Sequence, residues 1–251
     1  MGDATAFHEG RAMTGELQTI WVYLAASPLL SLTLTLLAYI AGQWLHEKSG
    51  QNPLVNPVLL AVLALVALLT VTDTDYASYF QGAQFVHFLL GPATVALAIP
   101  LYRQVHRVKD SAIAIIVAVI CGSLTAVTTA VAIAWALGAS EQTILSMAPK
   151  SATTPVAMGI AEQLGGLPSL TAAAVILTGI VGAMAGSSLL TLVQIRDSRA
   201  RGLAMGVASH GIGTARALQM NEVAGAFSGL AMGLNALATA VLVPVLLRLF
   251  W

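Results

Sequence analysis

Long runs without charged residues constrain this chain more than any other feature. The longest apolar runs that lack Asp, Glu, Lys and Arg altogether include residues 17–46, 112–137, 167–193 and 223–247. About 20 apolar residues are enough for a helix that crosses a bilayer, and a backbone in lipid must satisfy its own hydrogen bonds. Hydrophobic residues make up 57% of the chain and charged residues 9%, whereas about 25% of a soluble domain is charged. We therefore predict an all-α, polytopic membrane protein.

The charge balance, the cysteine content and the lack of enzyme motifs exclude several functional classes. Eleven basic and eleven acidic residues cancel, which argues against a nucleic-acid partner. Cys121 is the only cysteine, so neither an internal disulfide nor a cysteine-rich metal site can form. The chain contains no GxSxG, HExxH or Walker sequence and no histidine or carboxylate pair at metal-binding spacing. We predict a protein that is not an enzyme and holds no metal or cofactor.

The N-terminus differs from a cleaved signal sequence. Asp3 and Glu9 precede the first apolar run, and the basic stretch that opens a signal peptide is missing. Residues 1–16 are therefore predicted to be an extramembrane segment. Residues 17–251 are predicted to form one transmembrane domain, whose first span is retained.

A helix break is predicted in the stretch 147–158, which reads Met-Ala-Pro-Lys-Ser-Ala-Thr-Thr-Pro-Val-Ala-Met. Proline removes a backbone donor and clashes with the preceding turn, so Pro149 and Pro155 should interrupt a helix. Broken backbone at membrane depth is tolerated only where it is buried in protein or lines a wet cavity. We therefore expect the rest of the chain to hold this break near the middle of the bilayer.

The basic residues predict how the chain is threaded. Clusters at 103–109 and 196–201 mark the cytoplasmic side, so an even number of crossings must separate them. The runs 112–137 and 167–193 already supply two crossings. The segment 141–164 should therefore enter from outside and turn back.

Two further segments stay open at this stage. Residues 76–102 are polar in their first half and interrupted at Gly91-Pro92-Ala93-Thr94, and residues 202–219 are rich in glycine. Each either crosses the membrane or is re-entrant. We predict about seven or eight membrane segments, of which one or two are re-entrant or broken helices. An inverted repeat is compatible with this arrangement.

The first candidate binding motif is carried by the proline break and consists of Lys150, Ser151, Thr153 and Thr154. A lysine near the bilayer centre costs roughly 2.5–3.5 kcal/mol on insertion scales, so it needs a partner or water. An ammonium beside hydroxyls and freed backbone N–H groups makes an anion site. The alternative is that the lysine reaches to the interface and the hydroxyls satisfy broken backbone.

The second candidate motif lies in residues 209–216, where the residues of interest are Ser209, His210, Gly211, Gly213, Thr214 and Arg216. Hydroxyls and a guanidinium can donate to a carboxylate, and the glycines allow close approach of a ligand. His210 titrates in a range suited to proton coupling. In the alternative, the glycines serve helix packing, Arg216 lies at the interface and His210 satisfies a carbonyl.

Glycines supply two weaker signals. The repeats Gly179, Gly182, Gly186 and Gly225, Gly229, Gly233 place small residues about one turn apart, which predicts close helix packing. Residues Gly91, Pro92 and Thr94 either kink a span or line the same site as the two motifs.

Four runs resemble, in the same order, those of the LrgB/CidB family: 90–97 (Leu-Gly-Pro-Ala-Thr-Val-Ala-Leu), 149–155 (Pro-Lys-Ser-Ala-Thr-Thr-Pro), 208–217 (Ala-Ser-His-Gly-Ile-Gly-Thr-Ala-Arg-Ala) and 225–233 (Gly-Ala-Phe-Ser-Gly-Leu-Ala-Met-Gly). The resemblance runs from about residue 20 to residue 250 and implies a multi-pass protein of the bacterial inner membrane.

The resemblance implies two different functions. Bacterial members are described as antiholin-like proteins that modulate murein hydrolases and autolysis with an LrgA/CidA-type membrane subunit. A plant plastid relative is a glycolate/glycerate translocator, and other bacterial relatives are linked to pyruvate uptake. We favour a secondary transporter of small 2-hydroxy or 2-keto monocarboxylates (the glycolate, glycerate, pyruvate or lactate class) of an elevator type. The antiholin-like role is the alternative. A homo-oligomer is compatible with either function.

Overall fold

The computed structural model describes residues 28–52, 54–89, 92 and 95–250, where the regular elements are eleven helices. The prediction of an all-α chain is confirmed. The chain divides into two compact units, Met1–Ala93 and Thr94–Trp251. The predicted extramembrane segment 1–16 lies outside the described residues.

The first unit contains three helices, α1 (Pro28–Lys48), α2 (Pro57–Val71) and α3 (Tyr76–Phe88). Asn56 begins α2 because its side-chain oxygen accepts from Val58 N at 2.9 Å, and Pro57 fits the first helical position, where no backbone donor is needed. The hydroxyls of Thr35 and Tyr79 lie 2.6 Å apart and join α1 to α3. Helix caps and polar contacts such as these stabilise the first unit.

The second unit contains eight helices: α4 (Ala98–Arg103), α5 (Val105–Asp110), α6 (Ala112–Ala136), α7 (Glu141–Met147), α8 (Thr154–Gln163), α9 (Pro168–Leu192), α10 (Ser198–Met220) and α11 (Glu222–Phe250). Helices α6, α9 and α11, together with α1, are long and apolar enough to cross a membrane. Three of the predicted spans therefore coincide with α6, α9 and α11, and a polytopic membrane protein is supported.

Close packing in the second unit depends on glycine. A methyl group at Gly182 would overlap the Ser209 side chain, and one at Gly186 would lie 2.5 Å from Met205 Sδ. The predicted contact surface on α9 is therefore confirmed, and it meets α10. For Gly233 the prediction of close packing is wrong, because an added methyl group there would meet nothing within 4 Å among the described residues.

The end of α9 is fastened by Arg201. Its Nη2 donates to Ser187 O at 3.0 Å and to Ser187 Oγ at 2.7 Å. Its Nη1 donates to Thr191 Oγ1 at 3.1 Å and to Ile195 O at 3.0 Å. A residue predicted to mark the cytoplasmic side thus also binds the last two turns of a spanning helix and the residue Ile195 that follows it.

Candidate functional site

The predicted proline break separates two short helices. Helix α7 has 7 residues and α8 has 10, and neither is long enough to cross a bilayer, which takes about 20 residues. After α8 the chain returns alongside α7, because Leu167 N donates to Ser146 Oγ at 2.7 Å and Thr171 Oγ1 donates to Ser146 O at 2.9 Å. We call α7, residues 148–153 and α8 the first hairpin.

Helix α10 also reverses its direction, at His210. The backbone of His210 has φ +41° and ψ −131°, a conformation that only glycine adopts readily. The two ends of α10 lie side by side, since Asn221 Nδ2 donates to Ser198 Oγ at 3.2 Å. Of the alternatives for 202–219, the structure therefore shows the reversal. We call α10 the second hairpin, with a first arm 198–209 and a second arm 211–220.

The neighbours of α11 show how the two arms run. Methyl groups at Gly202 and Gly206 would overlap the backbones of Ala224 and Ser228, so the first arm runs parallel to α11. The second arm runs in the opposite direction, because Thr214 lies against Ser228, 2.9 Å between hydroxyl oxygens, and Leu218 lies against Gly225. The first arm has 12 residues and is about 18 Å long, roughly half the thickness of a bilayer.

Asn235 joins the tips of the two hairpins at the middle of α11. Its Nδ2 donates to Ser151 O in the first break at 2.8 Å and to Val207 O in the first arm of the second hairpin at 3.2 Å. Its Oδ1 accepts from Ser123 Oγ on α6 at 2.5 Å. The sequence interpretation passed over Asn235. An amide in an otherwise apolar span was the available signal, because such groups bind neighbouring helices.

The first motif lies at this meeting point. Ser151 is buried, whereas Lys150, Thr153 and Thr154 are half-buried. Within the described residues, the Lys150 ammonium forms no hydrogen bond or ion pair, and the Thr153 side chain does not cap α8. Asn235 links the break that carries Lys150 to the last turn before His210, because it donates to Ser151 O and to Val207 O. The structure therefore brings the first motif and His210 together.

His210 is held by a backbone carbonyl, as the alternative interpretation of the second motif required. Its Nε2 lies 2.8 Å from Val175 O, and the carbonyl can only accept, so Nε2 carries the proton. Its ring fits against Gly179, where a methyl group would lie 2.6 Å from Cε1. Thr214 Oγ1 donates to His210 O at 2.8 Å. These contacts leave Nδ1 as the atom of His210 that can gain a proton.

The remaining residues of the second motif divide between packing and the tip. Gly213 packs against its own first arm, because a methyl group there would lie 2.6 Å from Met205 O, and Ser209 is buried against α9. Gly211 is exposed at the reversal. Most of this motif therefore shapes the hairpin.

The guanidinium of Arg216 forms a hydrogen bond within its own arm. Its Nη1 donates to Gln219 Oε1 at 3.0 Å, one turn further from the reversal, and its Nε is buried without a hydrogen-bond partner among the described residues. Among the residues considered for site lining, Gly91 and Thr94 lie outside the described residues. Pro92 belongs to the first unit.

Both second arms begin at the tips. Helix α8 starts after the first break and the arm 211–220 starts after His210, so the N-terminal ends of two helices lie near the place that Asn235 joins. Helix N-termini present free N–H groups and a partial positive charge. Together with an unpaired ammonium, this arrangement is chemically suited to an anion.

Comparison with known proteins adds the family. Residues 35–249 match the LrgB-like family. Holin-like protein CidB of Staphylococcus epidermidis is 35% identical over 222 residues, covering 88% of this chain and 96% of that protein. Its namesake in Staphylococcus aureus is 35% identical over 223 residues, with 89% and 97% covered. The uncharacterised protein YxaC of Bacillus subtilis is 36% identical over 226 residues, with 90% and 98% covered. No solved structure matches this chain.

The matched residues begin within α1 and end within α11, so they include both hairpins, Lys150, His210 and Asn235. The family match therefore covers the parts of the chain that form the candidate site. This multi-pass membrane chain therefore belongs to the LrgB-like family.

Proposed function

We propose that this protein is a secondary transporter of small 2-hydroxy or 2-keto monocarboxylates in the bacterial inner membrane. The observation that carries the proposal is the meeting of two helical hairpins, whose tips are joined by Asn235 at the middle of a spanning helix. Half-helices that end near the bilayer midplane are typical of the substrate sites of secondary transporters.

The chemistry at the tips supports a carboxylate as the substrate. Lys150 has no anionic partner among the described residues, and a bound carboxylate supplies one. The half-buried hydroxyls of Thr153 and Thr154 suit a neighbouring hydroxyl or keto oxygen of the substrate, since a hydroxyl both donates and accepts. One cation, two hydroxyls and two helix N-termini therefore support the proposed substrate class.

The proposal includes alternating access. The first hairpin enters from one side and the second from the other, as charge counting requires, so each hairpin separates the site from one face of the membrane. Because Asn235 ties the two tips together, they would move as one body, in an elevator-like shift. No bond of the substrate is broken, and a proton or counter-substrate gradient drives the movement.

Uptake into proteoliposomes tests the proposal. Labelled glycolate, glycerate, pyruvate and lactate should be taken up in a saturable and mutually competitive way. Lys150→Ala should lower uptake by about 10- to 100-fold, since it removes a charge-assisted contact. Lys109→Ala, at an exposed lysine, is the matched control and should behave as wild type. Unsaturable leak of unrelated solutes that is indifferent to Lys150→Ala contradicts the proposal.

Proton coupling is assigned to His210. With Nε2 bound to Val175 O, the Nδ1 atom exchanges a proton while the substrate is bound. His210→Gln keeps a donor of similar size but cannot titrate. It should abolish accumulation driven by an imposed pH gradient while leaving exchange of labelled for unlabelled substrate. Accumulation that survives this change unaltered shows that His210 is not the coupling residue.

A second candidate function is an antiholin-like subunit that, with an LrgA/CidA-type partner, modulates murein hydrolase activity and autolysis. Two of the relatives above carry the name holin-like protein, so the comparisons favour this role over carboxylate transport. It is tested by expressing the protein with and without a small membrane partner and measuring autolysis. In this role Lys150→Ala should leave the effect on autolysis unchanged and no saturable uptake should be found.

A further inference from the structure

We propose that Asn235 makes the meeting point of the two hairpins selective for anions. This inference rests on the proposed transport of carboxylates and names the residue that sets the charge preference of that site. Asn235 is fully buried. Its hydrogen-bond partners among the described residues are two backbone carbonyls and one buried hydroxyl, so its role depends on the backbone groups that it binds.

At the tip of a hairpin in the membrane, the C-terminal end of one helix meets the N-terminal end of the next. The first arm ends there with carbonyl oxygens that lack an intrahelical partner, and the second arm begins there with N–H groups that lack one. Free carbonyl oxygens attract cations and repel anions, whereas free N–H groups do the opposite. A site built only from two such tips would therefore have no clear charge preference.

Asn235 gives the site a charge preference because its amide donates hydrogen bonds to carbonyl oxygens at the tips. Ser151 O belongs to the first break, and Val207 O belongs to the last turn of the arm 198–209, so one carbonyl from each hairpin receives an amide proton. The orientation of the amide is fixed, because backbone carbonyls can only accept and must therefore face Nδ2. Oδ1 then faces Ser123, whose hydroxyl donates to it.

A second side chain acts in the same direction. Thr214 Oγ1 donates to His210 O, which is the carbonyl at the reversal itself. By contrast, the Thr153 side chain does not cap the N-terminus of α8. Side-chain donors thus bind three carbonyl oxygens at the tips, while the N–H groups of α8 keep their partial positive charge for a ligand. The balance of the tips becomes electropositive.

The inference is tested with glycolate and its neutral amide, glycolamide, which have nearly the same shape. Uptake of both compounds is measured for wild type and for Asn235→Asp, which replaces the donor with an acceptor. Asn235→Leu, of similar volume and without polar atoms, is the second variant. Ser123→Ala leaves both amide donations in place, and Asn52→Asp, at an exposed loop residue, introduces the same charge elsewhere.

We expect the KM for glycolate to rise by on the order of 10- to 100-fold in both Asn235 variants. The preference for glycolate over glycolamide should fall by a similar factor, because uptake of the neutral compound does not depend on charge. Ser123→Ala and Asn52→Asp should keep the wild-type preference.

Three outcomes overturn the inference. A folded Asn235→Leu protein with the wild-type preference does so, as does an equal loss of uptake for both compounds, since that shows a structural role alone. Loss of folded protein in both Asn235 variants has the same meaning. A wild-type protein that takes up neither compound is a different result, because it removes the proposed transport function itself.

Discussion

The two hairpins interrupt their helices by different means. The first uses six residues, 148–153, with Pro149 inside the break and Pro155 in the first turn of α8. The second uses a single residue, His210, in a backbone conformation that is unfavourable for histidine. The first break is therefore imposed by local chemistry, whereas the second exists only because α9 and α11 hold it.

Packing reflects this difference. The first arm of the second hairpin contacts α11 through Gly202 and Gly206, where there is no room for a methyl group. By contrast, a methyl group at Gly159, in the second arm of the first hairpin, would meet nothing within 4 Å. A hairpin that depends on its neighbours needs tight contacts, and one that depends on proline does not. Substitutions should therefore act more strongly on the second hairpin.

The largest effect is expected at the contact between α10 and α11. Gly206→Ala forces a methyl group into the backbone of Ser228 and should destabilise the protein by about 3 kcal/mol or more. Gly159→Ala is the matched change in the first hairpin and should stabilise it by about 0.5–1 kcal/mol. Thermal unfolding in detergent, followed by size-exclusion chromatography, measures both. Similar melting temperatures for Gly206→Ala and Gly159→Ala would show that the two hairpins do not differ in how tightly they pack.

A smaller loss is expected where the second break is held against α9. In Gly179→Ala the new methyl group would lie 2.8 Å from His210 Nε2, so the ring must leave Val175 O, at a cost of about 1–2 kcal/mol. Gly233→Ala, on an open face of α11, is the control. A melting temperature for Gly179→Ala equal to that of the control shows that His210 is not held by this contact.

A sharper test of the second break uses His210 itself. In a regular helix alanine is more stable than glycine by about 1 kcal/mol. At φ +41° the order should reverse, so His210→Gly should be more stable than His210→Ala by about 1 kcal/mol. The difference in melting temperature between the two variants measures it. A more stable alanine variant would mean that the helix continues through residue 210.

The smallest effects are expected at the entrances of the hairpins. Asp197 caps α10 by accepting from Arg199 N at 2.8 Å, whereas Ser140 caps α7 with a longer bond of 3.3 Å to Thr143 N. Asp197→Ala should cost about 1 kcal/mol and Ser140→Ala about 0.5 kcal/mol, both read from thermal unfolding. An equal loss of stability in Asp197→Ala and Ser140→Ala would show that the two hairpins do not differ in their caps.

The Asp197 cap should also depend on pH. The side-chain hydrogen bond from Arg199 lowers the pKa of the Asp197 carboxyl below its ordinary value. Its stabilisation is therefore complete above the unfolded-state pKa of about 4 and is lost as the pH falls through the folded value. The gap in melting temperature between wild type and Asp197→Ala should accordingly narrow in acid, and Ser140→Ala should show no such change.

The sequence could predict the parts of the fold that local chemistry determines. Charge-free runs located α6, α9 and α11, and the two prolines located the first break. The reversal at His210 was left open because no proline marks it and its glycines are equally typical of close helix packing. Its conformation is stabilised by a carbonyl of α9 and by the backbone of α11, which are distant in sequence.

The candidate site was predictable to a similar degree. Lys150 lies at the meeting point because the break itself carries it. Arg216 was expected in the same site, and that remains a prediction. Its guanidinium donates to Gln219 on the same arm, since residues three apart on a helix are neighbours. Asn235 was missed because its role depends on two carbonyl oxygens, and no sequence pattern shows which backbone groups a fold leaves without partners.

Arg201 has a consequence for how membrane insertion is studied in this protein. The same guanidinium that contributes to the orientation signal also donates to three oxygens in the last turns of α9 and to Ile195 O just after it. Lysine preserves the signal, because insertion responds to positive charge, but it cannot reproduce the planar fork of donors. An Arg201→Lys protein should be inserted in the correct orientation and yet be less stable once folded. This variant therefore separates the signal for membrane orientation from the contacts that stabilise the folded protein.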